Sequence, residues 1–228
     1  MFIKMMTSGP LEANCFLLAN DEGCDCVIID PGMEAAVQIE TQLGQHRLTP
    51  AAILATHGHY DHIADVALLA DRYGIPAWIR SEDRHLLTQP LAGVDAAFGS
   101  WLATLLPKDI SEPAQLGLLD DYRELSIAGL DFAIIYAPGH TRGSVLFRLN
   151  NDGDDLIFTG DVLFAGSIGR TDMPGGNLAT MCRTLLGTVL SLPDLARLLP
   201  GHGSNTTMAN ERSTNPYLSQ RWLSENSV

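Results

Sequence analysis

The feature that most constrains this chain is a short apolar run that ends at a turn bearing a histidine or an aspartate. Val27 to Ile29 leads into Asp30, and Ala51 to Ala55 leads into Thr56 and His57. Short apolar runs bounded by glycine or proline are typical of buried strands. The same arrangement returns before His140, Asp161 and His202. A chain with this pattern presents its chemistry at the ends of its strands.

The segments between these runs have the spacing of helices. We predict helices over 33–45, 62–73, 96–106 and 178–190, and beyond Pro216 in the tail. Further strands are predicted over 76–79, 130–137 and 197–199, and as an antiparallel pair over 144–149 and 155–159, joined by the turn Asn151-Asp152-Gly153. Strands that occur both in hairpins and between helices are best buried in mixed sheets covered by helices. The sequence therefore predicts an α/β fold and, because no flexible linker divides it, a single domain over residues 1–228.

Composition and charge argue against several partners. Apolar residues make up 46% of the chain, and no apolar run reaches the roughly 20 residues that a bilayer requires, so no membrane partner is expected. A net charge of −13 without clustered Lys or Arg argues against nucleic acid as a partner. The N-terminus lacks the pattern of a signal peptide, and the four cysteines lack zinc-ligand spacing, so we expect a cytoplasmic protein with reduced thiols. Protein partners stay unknown at this stage.

Histidines are concentrated in the turns that follow strands. Five of the seven histidines follow apolar runs with glycine or threonine nearby, and only His46 and His85 lie elsewhere. A single histidine in such a place is more often a hydrogen-bonded core residue than a ligand. Five together favour a shared metal centre, since neutral imidazole is a common metal ligand.

The run from His57 to His62 is spaced for metal binding. His57 and His59 alternate around a glycine, so an extended backbone presents both imidazoles in one direction. Asp61 and His62 lie at the start of a predicted helix, where they could face a second ion. The run therefore predicts parts of two metal sites.

Residues from later in the chain would complete these sites. His140 and His202 would add one nitrogen to each, and Asp161 would supply an anionic bridge. Two ions that share a water lower its pKa from about 15.7 towards 7, which makes a nucleophile available near neutral pH. Imidazole and carboxylate ligands favour two divalent zinc ions, and iron and manganese are also compatible. Asp30 is a candidate acceptor for a ligating histidine, although turn capping explains it equally well.

The segment from Thr56 to His62 resembles the T-H-x-H-x-D-H signature of the metallo-beta-lactamase superfamily. Later landmarks follow in the order of that family, namely Pro138-Gly139-His140-Thr141, Thr159-Gly160-Asp161 and Pro200-Gly201-His202-Gly203. The resemblance implies a four-layer αββα sandwich with mixed sheets. It implies that His57, His59 and His140 bind the first metal ion, that Asp61, His62 and His202 bind the second, and that Asp161 binds both. Asp61 and His59 are then expected to be required for catalysis as well.

Within the superfamily, the segment from Gly166 to Asp172 and the tail from Thr206 to Pro216 resemble the short bacterial glyoxalase II-like proteins. These are hydroxyacylglutathione hydrolases or close relatives, which implies a small-molecule thioester substrate such as S-lactoylglutathione. Arg170 is the candidate contact for a substrate carboxylate, and a surface salt bridge is the other interpretation. Ser204 stands where longer glyoxalase II enzymes have a tyrosine, so the glutathione contacts depart from that pattern.

Other functions share parts of this pattern. A persulfide dioxygenase would bind one iron through His57, His140 and Asp161 and leave the pair Asp61-His62 unligated, whereas the glycine-flanked His202 favours a hydrolase. A beta-lactamase is expected to be exported, and the N-terminus shows no export signal. A non-catalytic metal-binding protein is expected to have lost ligands, and all seven positions are filled.

Overall fold

The computed structural model describes residues 1–151 and 153–226, whose strands form two sheets of six. The first sheet contains, in spatial order, β1 (Phe2–Ser8), β2 (Ala13–Ala19), β3 (Asp25–Ile29), β4 (Thr49–Leu54), β5 (Ala77–Ile79) and β6 (Leu116–Leu118). Neighbouring strands pair antiparallel from β1 to β3 and parallel from β3 to β6. This sheet is therefore mixed.

The second sheet is formed by the later half of the chain. It contains, in spatial order, β7 (Glu124–Ile127), β8 (Leu130–Tyr136), β9 (Val145–Asn151), β10 (Asp154–Gly160), β11 (Arg197–Pro200) and β12 (Thr206–Thr207). All neighbours are antiparallel except β10 and β11, which are parallel. The turn predicted at Asn151-Asp152-Gly153 falls between β9 and β10, and Asp152 lies outside the described residues.

The helices lie between β3 and β6 and after β10 along the chain. Their bounds are α1 (Ala35–His46), α2 (Tyr60–Ile63), α3 (Val66–Tyr73), α4 (Ser81–Arg84), α5 (Ala96–Leu102), α6 (Leu178–Gly187), α7 (Met208–Thr214) and α8 (Gln220–Asn226). Short 3-10 helices occupy His85–Leu87, Pro90–Gly93, Val189–Ser191 and Pro216–Leu218. In the described part of the chain, no helix combines the length and the apolar character needed to cross a membrane.

Buried apolar clusters fix the order of the layers. Outside the first sheet, Ile28 of β3 belongs to one cluster with Ile39 of α1 and Leu69 of α3. The next residue, Ile29, belongs instead to the cluster that includes Phe158 of β10 in the second sheet. Successive strand side chains point to opposite faces, so this uninterrupted apolar strand is buried on both. The first sheet thus lies between helices and the second sheet.

The second sheet is covered in the same way on its outer face. Ile157 of β10 shares a buried cluster with Met181 and Leu185 of α6, Met208 of α7 and Leu223 of α8. Helix, sheet, sheet and helix therefore follow one another, and the predicted four-layer αββα sandwich with mixed sheets is confirmed. The single domain over residues 1–228 stays a prediction.

Strand ends that carry polar residues meet at one edge of the sandwich. β3 and β4 are parallel, so Asp30 and Thr56 follow neighbouring carboxyl ends. Backbone hydrogen bonds join the sheets at this edge. Val145 N donates to Thr56 O over 2.9 Å, and Asn14 N donates to Gly201 O over 2.7 Å. Both halves of the chain therefore contribute to the same edge.

Some elements differ from the sequence-based prediction. The helix predicted over 62–73 is two helices, because the Asp65 amide donates to Pro31 O over 3.0 Å and so leaves the helical hydrogen-bond pattern. The tail is helical before Pro216, in α7, as well as after it, in α8. The strands β1, β2, β6, β7 and β12 were not predicted.

Candidate metal centre

The segment between β4 and α3 carries four of the predicted ligands. β4 ends at Leu54, and His57 follows shortly after with 1% of its surface exposed. His59 has an extended backbone and α2 begins at the next residue, so Asp61 and His62 lie in the first turn of that helix. The predicted placement of these residues at a strand end and a helix start is confirmed.

The second sheet supplies the other three predicted ligands. His140 lies in the loop after β8, Asp161 directly follows β10, and His202 follows β11. His140 and Asp161 are buried, and the His202 side chain is 25% exposed. Gly201 makes the close approach possible, because a Cβ there would overlap Asp161 Oδ1 and lie 2.8 Å from His62 Cε1.

His57, His59 and His140 form a group of three imidazoles. Their candidate ligand atoms all lie within 4.8 Å of one another. Nδ1 of His59 lies 2.7 Å from Nε2 of His140. Two imidazole nitrogens at this separation need a proton or a cation between their lone pairs. The group therefore has the geometry of a tridentate nitrogen site.

Asp61, His62 and His202 form a second group. His62 Nε2 lies 3.2 Å from His202 Nε2, and Asp61 Oδ2 lies 3.3 Å from His202 Nε2. Asp161 stands between the groups, since its Oδ2 lies 3.5 Å from His140 Nε2 and also 3.5 Å from His202 Nε2. Its Oδ1 lies 3.4 Å from His62 Nε2. All seven residues predicted as ligands are thus brought together.

The three-imidazole group is electrically neutral near pH 7. Burial lowers the pKa of His57, and the neighbouring His62 and His140 lower it further. Burial also lowers the pKa of His140 to about 4, with His59 adding to the shift. Neutral imidazole is the form that binds a metal ion.

The second group has the opposite character. Burial alone would lower the pKa of His62, but the carboxylates of Asp61 and Asp161 raise it above its ordinary value. Burial alone would raise the pKa of Asp61, but His62, His59 and a hydrogen bond with His202 together outweigh that effect and lower it. These shifts favour an imidazolium beside carboxylates, and a cation bound to His62 would replace its proton.

Asp30 and Thr56 orient two of the imidazoles. Thr56 donates to Asp30 twice, from its amide to Oδ1 over 2.7 Å and from Oγ1 to Oδ2 over 2.6 Å. Asp30 Oδ2 lies 3.1 Å from His62 Nδ1, and Thr56 Oγ1 lies 3.0 Å from His57 Nδ1. Holding Nδ1 in this way directs Nε2 of each ring towards the centre. The acceptor role predicted for Asp30 is confirmed.

Asp83 is a buried carboxylate that the sequence did not single out. It lies in α4, beyond the carboxyl end of β5, and is 2% exposed. Its Oδ2 accepts from Gly58 N over 2.9 Å and from Thr141 Oγ1 over 2.6 Å, and its Oδ1 accepts from Gly143 N over 2.9 Å. Gly58 separates His57 from His59, and Thr141 follows His140, so Asp83 joins the two loops that carry the three imidazoles.

A signal for Asp83 was present in the sequence. It follows a short apolar strand, as the ligands do, and ligands in open α/β sheets bind beyond the carboxyl ends of strands. Its partners lie 25 to 60 residues away along the chain, so no local motif identifies it.

A cavity of about 280 Å³ opens above the two groups of ligands. His59, Asp61 and Asp161 line its floor, and apolar side chains form most of its walls. The cavity therefore has residues of both groups in its lining.

Arg170, the predicted substrate contact, lies in the cavity wall. Its carbonyl oxygen lies 2.7 Å from His140 Nδ1, which must be the donor because a carbonyl only accepts. Its guanidinium donates twice to Asp172, over 2.7 and 2.9 Å, and is half exposed. The structure therefore gives Arg170 an acidic partner within its own loop.

The donor set fits divalent metal ions. Nε2 of His57 and Oδ1 of Asp161 are buried and have no hydrogen-bond partner among the described residues. An unpaired buried polar atom costs roughly 1–3 kcal/mol, and coordination to a metal ion would remove that cost. Five imidazoles and two carboxylates without a thiolate suit zinc, and also iron or manganese. The ligand roles themselves stay predictions.

A four-layer sandwich with a histidine and aspartate centre at one edge defines a class of metal-dependent enzymes, most of which are hydrolases. The chain belongs to the metallo-beta-lactamase superfamily, whose family model matches residues 8–202. The family expected from the motifs is therefore confirmed.

Relatives of similar length match this chain almost from end to end. An uncharacterised protein of Mycobacterium tuberculosis is 40% identical over 222 residues, which cover 96% of this chain and 98% of that protein. The hydroxyacylglutathione hydrolase GloC of Haemophilus influenzae is 33% identical over 221 residues, which cover 97% of this chain and all of GloC (100%).

Solved structures show the same architecture. The BLEG-1 B3 metallo-beta-lactamase is 36% identical, with a TM-score of 0.82 and coverage of 96% of this chain and 100% of that one. TTHA1623, solved in a di-iron-bound form, is 34% identical, with a TM-score of 0.76 and coverage of 94% and 100%.

Proposed function

We propose that this protein is a two-metal hydrolase of small-molecule acyl thioesters, with S-2-hydroxyacylglutathiones such as S-lactoylglutathione as the reference substrates. The reaction adds water across the thioester and yields a carboxylic acid and a thiol. The cytoplasmic location expected from the sequence belongs to the same proposal.

The observation that carries the proposal is the position of Asp161 between two groups of ligands. Its oxygens lie 3.4 to 3.5 Å from nitrogens of His62, His140 and His202, so one carboxylate faces both groups. A single ion would leave one group without a cation. The di-iron form of TTHA1623 supports a two-ion arrangement in a relative of 34% identity.

Named residues would hold the two ions. His57, His59 and His140 would hold one, Asp61, His62 and His202 the other, and Asp161 both. When bound, divalent ions at such a centre lower the pKa of a water molecule towards about 7 and polarise a carbonyl oxygen. Zinc is the proposed metal, and iron or manganese would fit the same donors.

The protein's own groups supply position and charge. Asp30, Thr56 and the carbonyl of Arg170 fix the orientations of the ligating rings. Asp161 and Asp61 bring negative charge to the floor of the cavity, which offsets the charge of the cations. Apolar side chains make up much of the cavity wall, and the low local polarity strengthens the electrostatic interactions inside.

The choice of a thioester rests on relatives rather than on a contact in the cavity. GloC, which is named a hydroxyacylglutathione hydrolase, matches over its whole length. BLEG-1, named a B3 metallo-beta-lactamase, favours a second candidate, the hydrolysis of a beta-lactam amide. Both reactions require attack on a carbonyl carbon and stabilisation of an oxyanion, so the same centre suits either.

One set of assays separates these functions. The protein is purified with its native metal, ions per chain are counted, and S-lactoylglutathione, a chromogenic cephalosporin and glutathione persulfide are tested in parallel. Two ions with thiol release from the thioester are the expected result. One iron with oxygen uptake on the persulfide would replace the proposal with a dioxygenase, and cephalosporin cleavage alone would replace it with a lactamase.

Variants test the assignment of the site. Asp61→Asn and His59→Ala should each reduce turnover of the thioester by at least about 100-fold, because each removes a proposed ligand at the reacting centre. His46→Ala is the matched control, since His46 lies in α1 and binds Glu22 instead. Unchanged turnover in Asp61→Asn would contradict the mechanism.

A further inference from the structure

The walls of the cavity above the metal centre are mostly apolar. Val94, Phe98 and Leu102 come from α5 and the residues before it, and Met33 comes from the loop after β3. Phe164 closes the side nearest His202, where the two rings lie 5.9 Å apart. Hydrocarbon side chains therefore surround the space next to the reacting centre.

A hydrogen bond connects the wall formed by α5 to the loop that contains Met173 and Arg170. Asp95 caps α5 by accepting from Phe98 N over 2.8 Å. The Asp95 amide in turn lies 3.4 Å from Sδ of Met173, a residue that also lines the cavity. The wall formed by α5 is thus attached to the loop that carries Arg170. These contacts hold the apolar side chains of the wall in place.

Charge at the cavity offers little to an anionic group. Among the described residues that line it, Arg170 is the only arginine or lysine. Its guanidinium already donates twice to Asp172 and lies 3.9 Å from Asp95 Oδ2. Two carboxylates therefore face one cation. A negatively charged substituent packed against these walls would find no free side-chain cation unless it displaced Asp172.

We infer that the cavity takes an apolar acyl group, alkyl or aryl, and prefers it to a short hydroxyacyl group. This inference rests on the proposed function for the identity of the reaction and narrows its substrate class. The reacting carbonyl lies over the ligands, and the hydrocarbon attached to it packs against Phe98 and Met33. Each buried methylene should then increase affinity about fourfold until the chain fills the cavity.

Binding of thioethers tests the inference without any chemistry. The metal-loaded protein is titrated by calorimetry with S-methyl-, S-butyl- and S-hexylglutathione, which carry an alkyl chain in place of the acyl group and cannot be hydrolysed. Affinity that increases by about fourfold per methylene supports the inference. Equal affinity across the series overturns it, whatever the enzyme hydrolyses.

A charged probe tests the electrostatic part. S-(2-carboxyethyl)glutathione should bind about tenfold or more weakly than S-butylglutathione, because its carboxylate would be buried against apolar walls where no free side-chain cation pairs with it. Equal or tighter binding would show that a cation, either Arg170 or a bound metal ion, pairs with the carboxylate, and this would overturn the preference for apolar groups.

Variants locate the apolar group in the cavity. Phe98→Ala should weaken S-hexylglutathione binding by about tenfold and leave S-methylglutathione unchanged. Leu105→Ala is the matched control, because Leu105 follows α5, is 43% exposed and does not line the cavity. Val94→Ala provides a second wall variant should Phe98→Ala fold poorly. Equal effects of wall and control variants would contradict the assignment.

Hydrolysis distinguishes failure of this inference from failure of the proposed function. Turnover of S-hexanoylglutathione is compared with that of S-lactoylglutathione, and a higher kcat/KM for the hexanoyl compound is expected. Hydrolysis of the lactoyl compound without any gain for the hexanoyl compound overturns the apolar preference alone. Hydrolysis of neither, with the methylene increment in thioether binding intact, overturns the thioesterase proposal alone.

Discussion

Replacement of Asp83 by asparagine tests how the three-imidazole group is held. The Asp83 carboxylate accepts from Gly58 N, Thr141 Oγ1 and Gly143 N with both of its oxygens. Asparagine has almost the same shape but only one accepting oxygen. If that oxygen keeps Gly58 and Thr141, the side-chain amide faces the Gly143 N–H, and two donors oppose each other.

The size of the effect follows from these contacts. Two buried donors without an acceptor each cost about 1–3 kcal/mol, so Asp83→Asn should lower the free energy of unfolding by about 2–6 kcal/mol. The loops that carry His57, His59 and His140 would also lose their common anchor. Loss of a residue that orients ligands typically weakens metal binding about 10–100-fold.

The assay separates positioning from general stability. Zinc affinity is measured by competition with a chromogenic chelator, and unfolding of the metal-free protein is measured in urea. Glu211→Gln is the control, because Glu211 is also a fully buried carboxylate with several donors, including Gly166 N at 2.7 Å, yet it fastens α7 and none of the ligand-bearing residues. Both variants should lose stability, and only Asp83→Asn should lose affinity. Wild-type zinc affinity in Asp83→Asn would refute the anchoring role.

Three further predictions follow from the site and its surroundings. Zinc added to chelator-treated protein at a free concentration about 1,000 times its Kd should stabilise it by about 4 kcal/mol and raise Tm by about 8–16 °C, which calorimetry can measure; no shift would argue against a resident metal. Gly201→Ala should abolish binding of one ion, because the new Cβ would meet Asp161 and His62, whereas Gly44→Ala, which meets nothing within 4 Å, should bind the full number in the same ion count. Burial alone would raise the pKa of Glu211, but hydrogen bonds from Thr206 and Gly166 lower it. As the pH falls below about 4.5, Glu211 is therefore protonated in the unfolded chain before it is protonated in the folded protein. At neutral pH the wild type should have a larger free energy of unfolding than Glu211→Gln. This difference, measured by urea titration of the metal-free proteins, should decrease as the pH falls through that range. A difference that does not change with pH would contradict the lowered pKa.

The places of the proposed ligands in the fold could be predicted because strand ends and metal-binding spacing coincide. His57 and His59 flank a glycine, and an apolar run of strand length comes before them, so pattern and chemistry indicate the same place. β1 was harder to predict, because it is partly exposed at one edge and mixes Lys4 with methionines. The break between α2 and α3 depends on Pro31, whose carbonyl takes the Asp65 amide from outside the helix.

Contacts between distant segments account for what the sequence did not predict at the site. Asp83 is identified only by Gly58, Thr141 and Gly143, which reach it from other loops. Arg170 shows the converse case, because a motif suggested a substrate contact and a neighbour two residues away, Asp172, binds the guanidinium. Pairing of this kind depends on rotamers and loop shape, which residue types alone do not specify.

The distribution of the ligands along the chain has a consequence for biosynthesis. His59 meets His140 from 81 residues away, and His62 meets His202 from 140 residues away, so neither group of ligands is complete within one half of the protein. A nascent chain emerging from the ribosome would offer only the segment from His57 to His62 until the loop after β8 appears, and the second group would be complete only after β11. Metal uptake would therefore follow the docking of the two sheets, and a chain that stalls before β11 would be released with an incomplete second group.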